Sequence, residues 1–161
     1  MSESQTEKSD VIGFFKDLAI YLSRSPHSAI TFLDSTIADL DEEVNRSSEL
    51  NEEARATLKY LIGKLVESYR VFSDTYDKPV LRKFITEPEN LTGLTQALSE
   101  ILRAYRMLTT EDLSNGSSII EDIAHSIETA SSLIEDTVTT AISNLTEKLE
   151  SSNCLQESQS S

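Results

Sequence analysis

Two histidines are the residues with the widest chemical reach in this chain, and the spacing around one of them suggests a metal-binding pattern. Asp122, His125 and Glu128 recur at three-residue intervals, which places two carboxylates and an imidazole on one side of a helix. Di-iron bundles need a carboxylate–histidine pair on each of two helices. No second pair is present, because His27 follows Pro26 without a nearby cysteine or repeated carboxylate spacing. We therefore predict no metal and no cofactor.

The remaining motifs give no support for covalent or acid–base catalysis. The chain has neither a glycine-rich phosphate loop nor a Gly-x-Ser-x-Gly turn. Its one cysteine, Cys154, lies in a Ser/Gln-rich stretch, where we expect a spare thiol. Acidic doublets such as Glu52-Glu53 and Glu135-Asp136 point about 100° apart on a helix and do not converge on one substrate. We predict no catalytic residues and no enzymatic activity.

Basic and aromatic side chains in the middle of the chain form the one set for which we predict a partner interface. Nucleic-acid binding would use such side chains, but the acidic remainder of the chain repels polyanions. Docking onto the acidic final helix, in the same chain or in a partner, is the more economical interpretation. The set consists of Lys78, Arg82, Lys83, Phe84, Arg103, Tyr105 and Arg106.

Charge is sorted by position along the 161 residues. Residues 1–54 carry 4 Lys/Arg and 12 Asp/Glu, residues 55–106 carry 9 and 6, and residues 107–161 carry 1 and 10, for a net charge of −14. This order, written on helical periodicity, is typical of a bundle whose central helices attract their flanks or an acidic partner. The acidic balance argues against direct contact with nucleic acid or anionic lipid.

The elements that position these residues are predicted to be helices. Three prolines and four glycines are too few for a turn-rich β-fold. Apolar residues recur at steps of three and four, as in a heptad pattern, for example at Ile30, Leu33, Ile37, Leu40 and Val44. The pattern predicts helices over residues 10–24, 26–45, 51–76, 80–85, 87–108 and 118–150.

Capping residues set the expected helix starts. Pro26 fits the first position of a helix, and Asn51 fits an N-cap. Thr86-x-x-Glu89 and Ser118-x-x-Glu121 match the capping box. The Thr-rich stretch 137–140 has low helix propensity, which favours a break in the last helix there.

These observations predict an all-α, mostly antiparallel bundle of four long helices plus one short helix, with a long C-terminal helix. We expect one domain over residues 9–150, with disordered tails at 1–8 and 151–161. No stretch approaches the roughly 20 apolar residues of a membrane helix. The N-terminus has no basic start followed by an apolar run, so we expect no secretory signal and a cytoplasmic, soluble protein.

The predicted function is a non-enzymatic helical module for protein–protein interaction or assembly, acting through heptad faces and charge-complementary helices. We expect a protein partner or self-association into an oligomer. One alternative is an acidic inhibitor that imitates nucleic acid, which requires the carboxylates of helices 26–45 and 118–150 to line one continuous face. Another is a ligand-sensing bundle with a pocket near Tyr69, Tyr105 and His125.

Overall fold

Five α-helices and one short 3-10 turn make up the part of the chain described by the structure, a computed structural model covering residues 26–115 and 117–160. Side chains are described over residues 30–114 and 118–152. The elements are α1 (Pro26–Arg46), α2 (Glu52–Tyr76), α3 (Pro79–Ile85), α4 (Pro88–Thr110), the 3-10 turn Leu113–Asn115 and α5 (Ser117–Ser160). No strand occurs within these ranges, so the all-α prediction is confirmed. The helix predicted over 10–24 and the tail 1–8 lie outside the described residues.

Local chemistry explains most of the helix starts. The three prolines, Pro26, Pro79 and Pro88, each form the first residue of a helix. Proline lacks an amide hydrogen, and the first helical position leaves that hydrogen without a partner in any case. The side chain of Asn51 accepts a hydrogen bond from the amide of Ala54 at 2.7 Å, which caps α2 as predicted.

The capping box predicted at Thr86 is wrong. Thr86 ends α3, and its hydroxyl lies 3.0 Å and 3.1 Å from the carbonyl oxygens of Arg82 and Lys83. The N-cap of α4 is Glu87, which makes no side-chain capping bond. The hydroxyl of Thr86 faces the carbonyls at the end of α3, because Thr86 belongs to that last turn. Ser118 is also not an N-cap, since α5 already begins at Ser117.

The four long helices form a closed ring in which α2 and α4 each lie between α1 and α5. α1 packs on α2 and α4, and α5 packs on the same two helices. The α1–α2 loop meets the 3-10 turn, where Glu49 Oε2 accepts a hydrogen bond from the amide of Leu113 at 3.1 Å. Each long helix therefore runs opposite to the one before it in sequence, whereas the neighbours α2 and α5 run in the same direction. The short α3 packs mainly on α5, at the end of the bundle away from the α1–α2 loop.

The core is made of the apolar residues at the predicted three-and-four steps. Because every helix buries one such stripe, the four stripes meet along the axis of the bundle. α3 adds two buried side chains, Phe84 and Ile85. The largest fully buried side chains are Phe72, Leu40, Leu58, Ile62, Leu65, Ile85, Leu98, Ile101, Ile123, Ile127, Ile134 and Val44.

The last helix is much longer than its neighbours. α5 has 44 residues and α2 has 25, which correspond to about 66 Å and about 37 Å at 1.5 Å per residue. α5 is continuous through residues 137–140, so the break predicted there does not occur. The hydroxyl of Thr137 donates to the carbonyl of Leu133 at 2.9 Å and is thereby satisfied within the helix. α5 also continues through residues 151–160, where we predicted a disordered tail.

Candidate functional site

The structure divides the predicted partner interface between two ends of the bundle. Lys78, Arg82 and Lys83 are exposed around α3. Arg103 is exposed 15 residues after Pro88, about 22 Å further along α4. Tyr105, which is half-buried, and Arg106, which is exposed, lie beyond it in the same direction. A single surface containing all seven residues is therefore not formed.

Phe84 belongs to the core and is not part of a basic–aromatic surface. Its side chain is buried, and its ring lies 5.9 Å from Nζ of Lys148 on α5. Its carbonyl accepts a hydrogen bond from Nδ2 of Asn90 at 2.6 Å. The prediction of an exposed ring at this position is wrong, because α3 turns Phe84 inward to close the end of the bundle.

Two arginines of the central segment 55–106, Arg82 and Arg55, donate hydrogen bonds at the C-terminal ends of helices. Arg82 donates from Nε to the carbonyl of Tyr76 at 2.9 Å, and its guanidinium lies 4.9 Å from the centre of the Tyr76 ring. Arg55 donates to the carbonyls of Val44, Asn45 and Ser47 at 2.9, 2.7 and 2.7 Å. These carbonyls lie at or just after the C-terminal end of a helix, where no further amide of the helix is available.

The contact of α4 with α5 rests on buried apolar side chains. Leu98 and Ile101 of α4, and Ile123, Ile127 and Ile134 of α5, are buried. Charged groups buried at these positions would lose their hydration. The attraction between two opposite charges offsets that cost only when the pair is well aligned and fully hydrogen-bonded. The positions that hold the helices together are thus apolar, and the sorted charges lie outside them.

A concave groove lies between α2 and α5. Its volume is about 610 Å³, and it is open to solvent along its length. Val71 is 52% exposed on one wall, whereas Val138 is 6% exposed at the base. The groove is lined by Lys64, Glu67, Ser68, Val71, Glu135, Val138 and Thr139.

One side-chain hydrogen bond joins the two helices that form this groove. Oγ of Ser68 lies 2.9 Å from Oε1 of Glu135 and 3.1 Å from the carbonyl oxygen of Lys64, so the hydroxyl has two acceptors within reach. Because α2 and α5 run in the same direction, Val71 and Val138 face each other three residues further along both helices.

The apolar surface of the groove continues onto the part of α5 that passes the end of α2. Ile142 is 46% exposed and Leu149 is 56% exposed. These two residues lie seven apart, on the same side of the helix, and Leu145 lies between them, half-buried against the core. The steps 138, 142, 145 and 149 keep the heptad spacing, with Ile142 level with the last turn of α2 and Leu149 beyond its end at Tyr76.

Acidic groups border this surface. Glu67 and Glu135 flank the groove, and Glu150 follows Leu149 on α5. Of the cations nearby, Lys64 lies over the ring of Tyr60 at 4.9 Å, and Lys148 lies over Phe84. The exposed apolar stripe is therefore presented by a helix whose last third is predominantly negative. The sequence analysis did not single out Ile142, and no sequence signal placed Ser68, Val71 and Glu135 beside this stripe.

The residues considered for metal and ligand chemistry lie apart or point to solvent. Asp122, His125 and Glu128 are all exposed on α5. Among the described residues, no three His, Cys, Asp or Glu side chains converge as metal ligands would. The side chains of His27 and Cys154 lie outside the described residues.

The geometry also bears on the two alternative functions. Tyr69 contacts α1 through a hydrogen bond from its hydroxyl to the carbonyl of Ile30 at 3.3 Å, whereas Tyr105 lies towards the opposite end of the bundle. Neither of these tyrosines nor His125 lines the α2–α5 groove. α1 and α5 occupy opposite corners of the ring, so their carboxylates do not line one continuous face.

The fold defines this protein as an all-α helical bundle. Its distinguishing features are the open groove between the parallel helices α2 and α5 and the extended last helix. Comparisons with protein-family models, curated proteins and solved structures give no significant match to this chain. Within the part of the chain that the structure describes, no helix combines the length and apolarity needed to cross a membrane.

Proposed function

We propose that this protein is a non-enzymatic helical interaction module, and that its contact surface is the α2–α5 groove together with the stripe Ile142–Leu145–Leu149. The observation that carries the proposal is that Ile142 and Leu149 are exposed at heptad spacing on α5, a helix that extends beyond the end of α2. Large apolar side chains at such spacing are buried when a second helix packs alongside.

The chemistry of the surface selects an amphipathic helix with basic flanks as the partner. The apolar surface from the level of Glu135 to Leu149 spans 14 residue steps of α5, or about 21 Å, which is the length of two heptads of a partner helix. Glu135 and Glu150 would lie beside the flanking positions of that helix, where lysine or arginine is attracted and glutamate is repelled. A second copy of this chain would instead bring two acidic α5 helices together.

A synthetic helical peptide is the probe that tests the proposal. Three heptads with leucine at the inner positions and lysine at the flanks should bind the full chain, as measured by fluorescence anisotropy. A peptide with glutamate flanks should bind at least about tenfold more weakly, a difference of about 1.4 kcal/mol. A lysine-flanked peptide with serine at the inner positions should not bind, which separates apolar recognition from attraction by net charge.

Matched variants locate the surface. Leu149→Glu and Val71→Glu should abolish peptide binding, because each places a charge in the apolar contact. Ser151→Glu adds the same charge on the opposite side of α5, and Val80→Glu replaces an exposed valine of α3 outside the groove, so both should retain binding. Equal loss in all four variants, or no binding of the basic peptide, contradicts the proposal.

Sedimentation velocity of the protein alone separates this function from self-assembly. The proposal predicts a monomer at micromolar concentration. A dimer that Leu149→Glu dissociates and Ser151→Glu leaves intact would show that a second copy occupies the stripe.

A further inference from the structure

Six large hydrophobic side chains are exposed among the described residues, and four of them follow one path along the bundle. Ile142 and Leu149 form the stripe on α5, and Val71 lies on the α2 wall of the α2–α5 groove. The fourth is Tyr60 on α2, which is 63% exposed. Single exposed hydrophobic residues are common, whereas several in a row mark contact surfaces. The six residues are Tyr60, Val66, Val71, Val80, Ile142 and Leu149.

Tyr60 lies on the side of α2 that faces the groove. It precedes Val71 by eleven residues, or about three helical turns, so the two side chains point the same way. Nζ of Lys64 lies 4.9 Å from the centre of the Tyr60 ring, and Lys64 itself lines the groove. Tyr60 therefore extends the α2 wall of the groove towards the start of α2.

The contact between Ser68 and Glu135 gives the level of Tyr60 on α5. The two residues in contact are 67 positions apart and their helices run in the same direction, so Tyr60 lies level with Ile127. Leu149 lies 22 residues after Ile127, a rise of about 33 Å along α5. This distance is about three heptads, which is one heptad more than the surface from Glu135 to Leu149.

The acidic border of the surface also continues to the level of Tyr60. Glu128 on α5 is exposed and lies seven residues before Glu135, on the same side of the helix. At this end the carboxylates of Glu67, Glu128 and Glu135 outnumber the ammonium of Lys64. A partner helix that reaches Tyr60 would therefore meet negative charge beside its flanks over its full length.

We propose that Tyr60 is a contact residue of the same interface, and that the partner is an amphipathic helix of three heptads with basic flanks throughout. This inference rests on the proposed function and adds to it the length of the partner and one contact residue. Tyrosine suits such a position, because its ring offers a large contact area and has few rotatable bonds to immobilise on binding.

Peptides of two and three heptads test how far the surface extends. Both carry leucine at the inner positions and lysine at the flanks, and a hydrocarbon staple on the outer side keeps both helical, so they differ in contact length only. Tyr60→Ser in the full chain should weaken binding of the three-heptad peptide about tenfold, as measured by fluorescence anisotropy. Binding of the two-heptad peptide should change by less than about twofold.

Val80→Ser is the matched control for this substitution. Val80 is 62% exposed, almost the same as Tyr60, and lies on α3 outside the proposed surface. Its replacement by serine removes a hydrophobic side chain of similar exposure and should leave the binding of both peptides unchanged.

A photocrosslinker gives a direct readout of the contact. With p-benzoylphenylalanine in place of Tyr60, irradiation should join the full chain to a terminal heptad of the three-heptad peptide, identified by mass spectrometry after digestion. The same group in place of Val80 should give no adduct with the peptide.

Three results overturn the inference without touching the proposed function. Tyr60→Ser could bind both peptides as the wild type does, it could weaken both equally, or the crosslinker at position 60 could join two copies of the chain. The proposed function stands if the wild type binds the two-heptad peptide, whatever the effect of Tyr60→Ser. Both proposals fail if the wild type binds neither peptide.

Discussion

Ser68 on α2 and Glu135 on α5 are 67 positions apart in sequence but are in contact, with Oγ of Ser68 2.9 Å from Oε1 of Glu135. Ser68 is buried, whereas Glu135 is exposed at the border of the α2–α5 groove. The contact ties one wall of the groove to the other and sets Val71 opposite Val138. Helices held only by leucine-type side chains have several registers of similar energy, and one polar contact favours a single register.

Removing this contact should cost a modest amount of stability. Ser68→Ala deletes the hydroxyl and leaves the exposed carboxylate of Glu135 to water, so we expect a loss of about 0.5–1.5 kcal/mol in the free energy of unfolding. Urea denaturation followed by circular dichroism measures it. Ser132→Ala, at an exposed position of α5, should be neutral or slightly stabilising. Equal effects of the two substitutions would show that the Ser68 contact contributes nothing.

Arg55 should be more important than the other arginine of α2, Arg70. Its guanidinium donates to carbonyls of Val44, Asn45 and Ser47, which have no other helical donors at the end of α1. Hydrogen bonds from a charged group contribute about 1.5–3 kcal/mol, and we expect a loss of that size in Arg55→Met. Arg70→Met, at an exposed position, keeps the same aliphatic length as a control and should change stability by less than about 0.5 kcal/mol. The prediction fails if Arg55→Met unfolds at the wild-type urea concentration.

Gly93 allows α4 and α5 to approach each other closely. A Cβ on Gly93 would lie 3.1 Å from Oγ1 of Thr137. Thr137 is buried, and its hydroxyl is bonded to the carbonyl of Leu133, so the side chain has little freedom to move. Gly93→Ala gains about 1 kcal/mol in helix propensity, but the crowding costs about 1–3 kcal/mol, and we expect net destabilisation.

A double variant separates the two effects at Gly93. In a Thr137→Ala background the crowding atom is gone, so Gly93→Ala should there become stabilising. Thermal unfolding of the wild type, Gly93→Ala, Thr137→Ala and the double variant gives the coupling free energy between the two positions. If Gly93→Ala has the same effect in both backgrounds, the contact with Thr137 is not what limits this position.

Tyr69 should make the fold sensitive to alkaline pH. Burial raises the pKa of Tyr69 above its ordinary value of 10.0, and the nearby carboxylate of Asp34 raises this pKa further. A group whose pKa is higher in the folded state stabilises the fold below its unfolded pKa, and this stabilisation is lost as the pH rises through the folded pKa. Stability should therefore fall above about pH 10, where the unfolded tyrosine ionises first.

The variant Tyr69→Phe isolates this effect. It removes the hydrogen bond to the carbonyl of Ile30 and should cost up to about 1 kcal/mol at pH 7. Between about pH 9.5 and 11 its stability should decline less steeply than that of the wild type, as measured by urea denaturation at each pH. Tyr60→Phe, at an exposed tyrosine of α2, should reproduce the wild-type slope. Parallel curves for Tyr69→Phe and wild type would contradict the assignment.

Helix positions and core residues could be read from the sequence because both depend on local periodicity. Pro26 and Asn51 mark helix starts through their own chemistry, and Ile30, Leu33, Ile37, Leu40 and Val44, at the predicted heptad steps, are all buried. The same local reasoning was wrong at Thr86, because its hydroxyl donates to the carbonyls of Arg82 and Lys83 at the end of α3 and does not cap the start of α4. Local sequence does not distinguish these two uses of a hydroxyl.

The sequence by itself determined that this chain forms amphipathic helices with one apolar face each, since that information repeats every three to four residues. Only the tertiary structure decided which faces meet. Leucine-type stripes are interchangeable between helices, so the pairing of parallel α2 with α5, and the groove between them, follow from packing over the whole chain. The same packing buried Phe84 and separated Lys83 from Arg103 along the bundle. It also left Ile142 exposed beside the last turn of α2 and Leu149 exposed where α5 extends past α2.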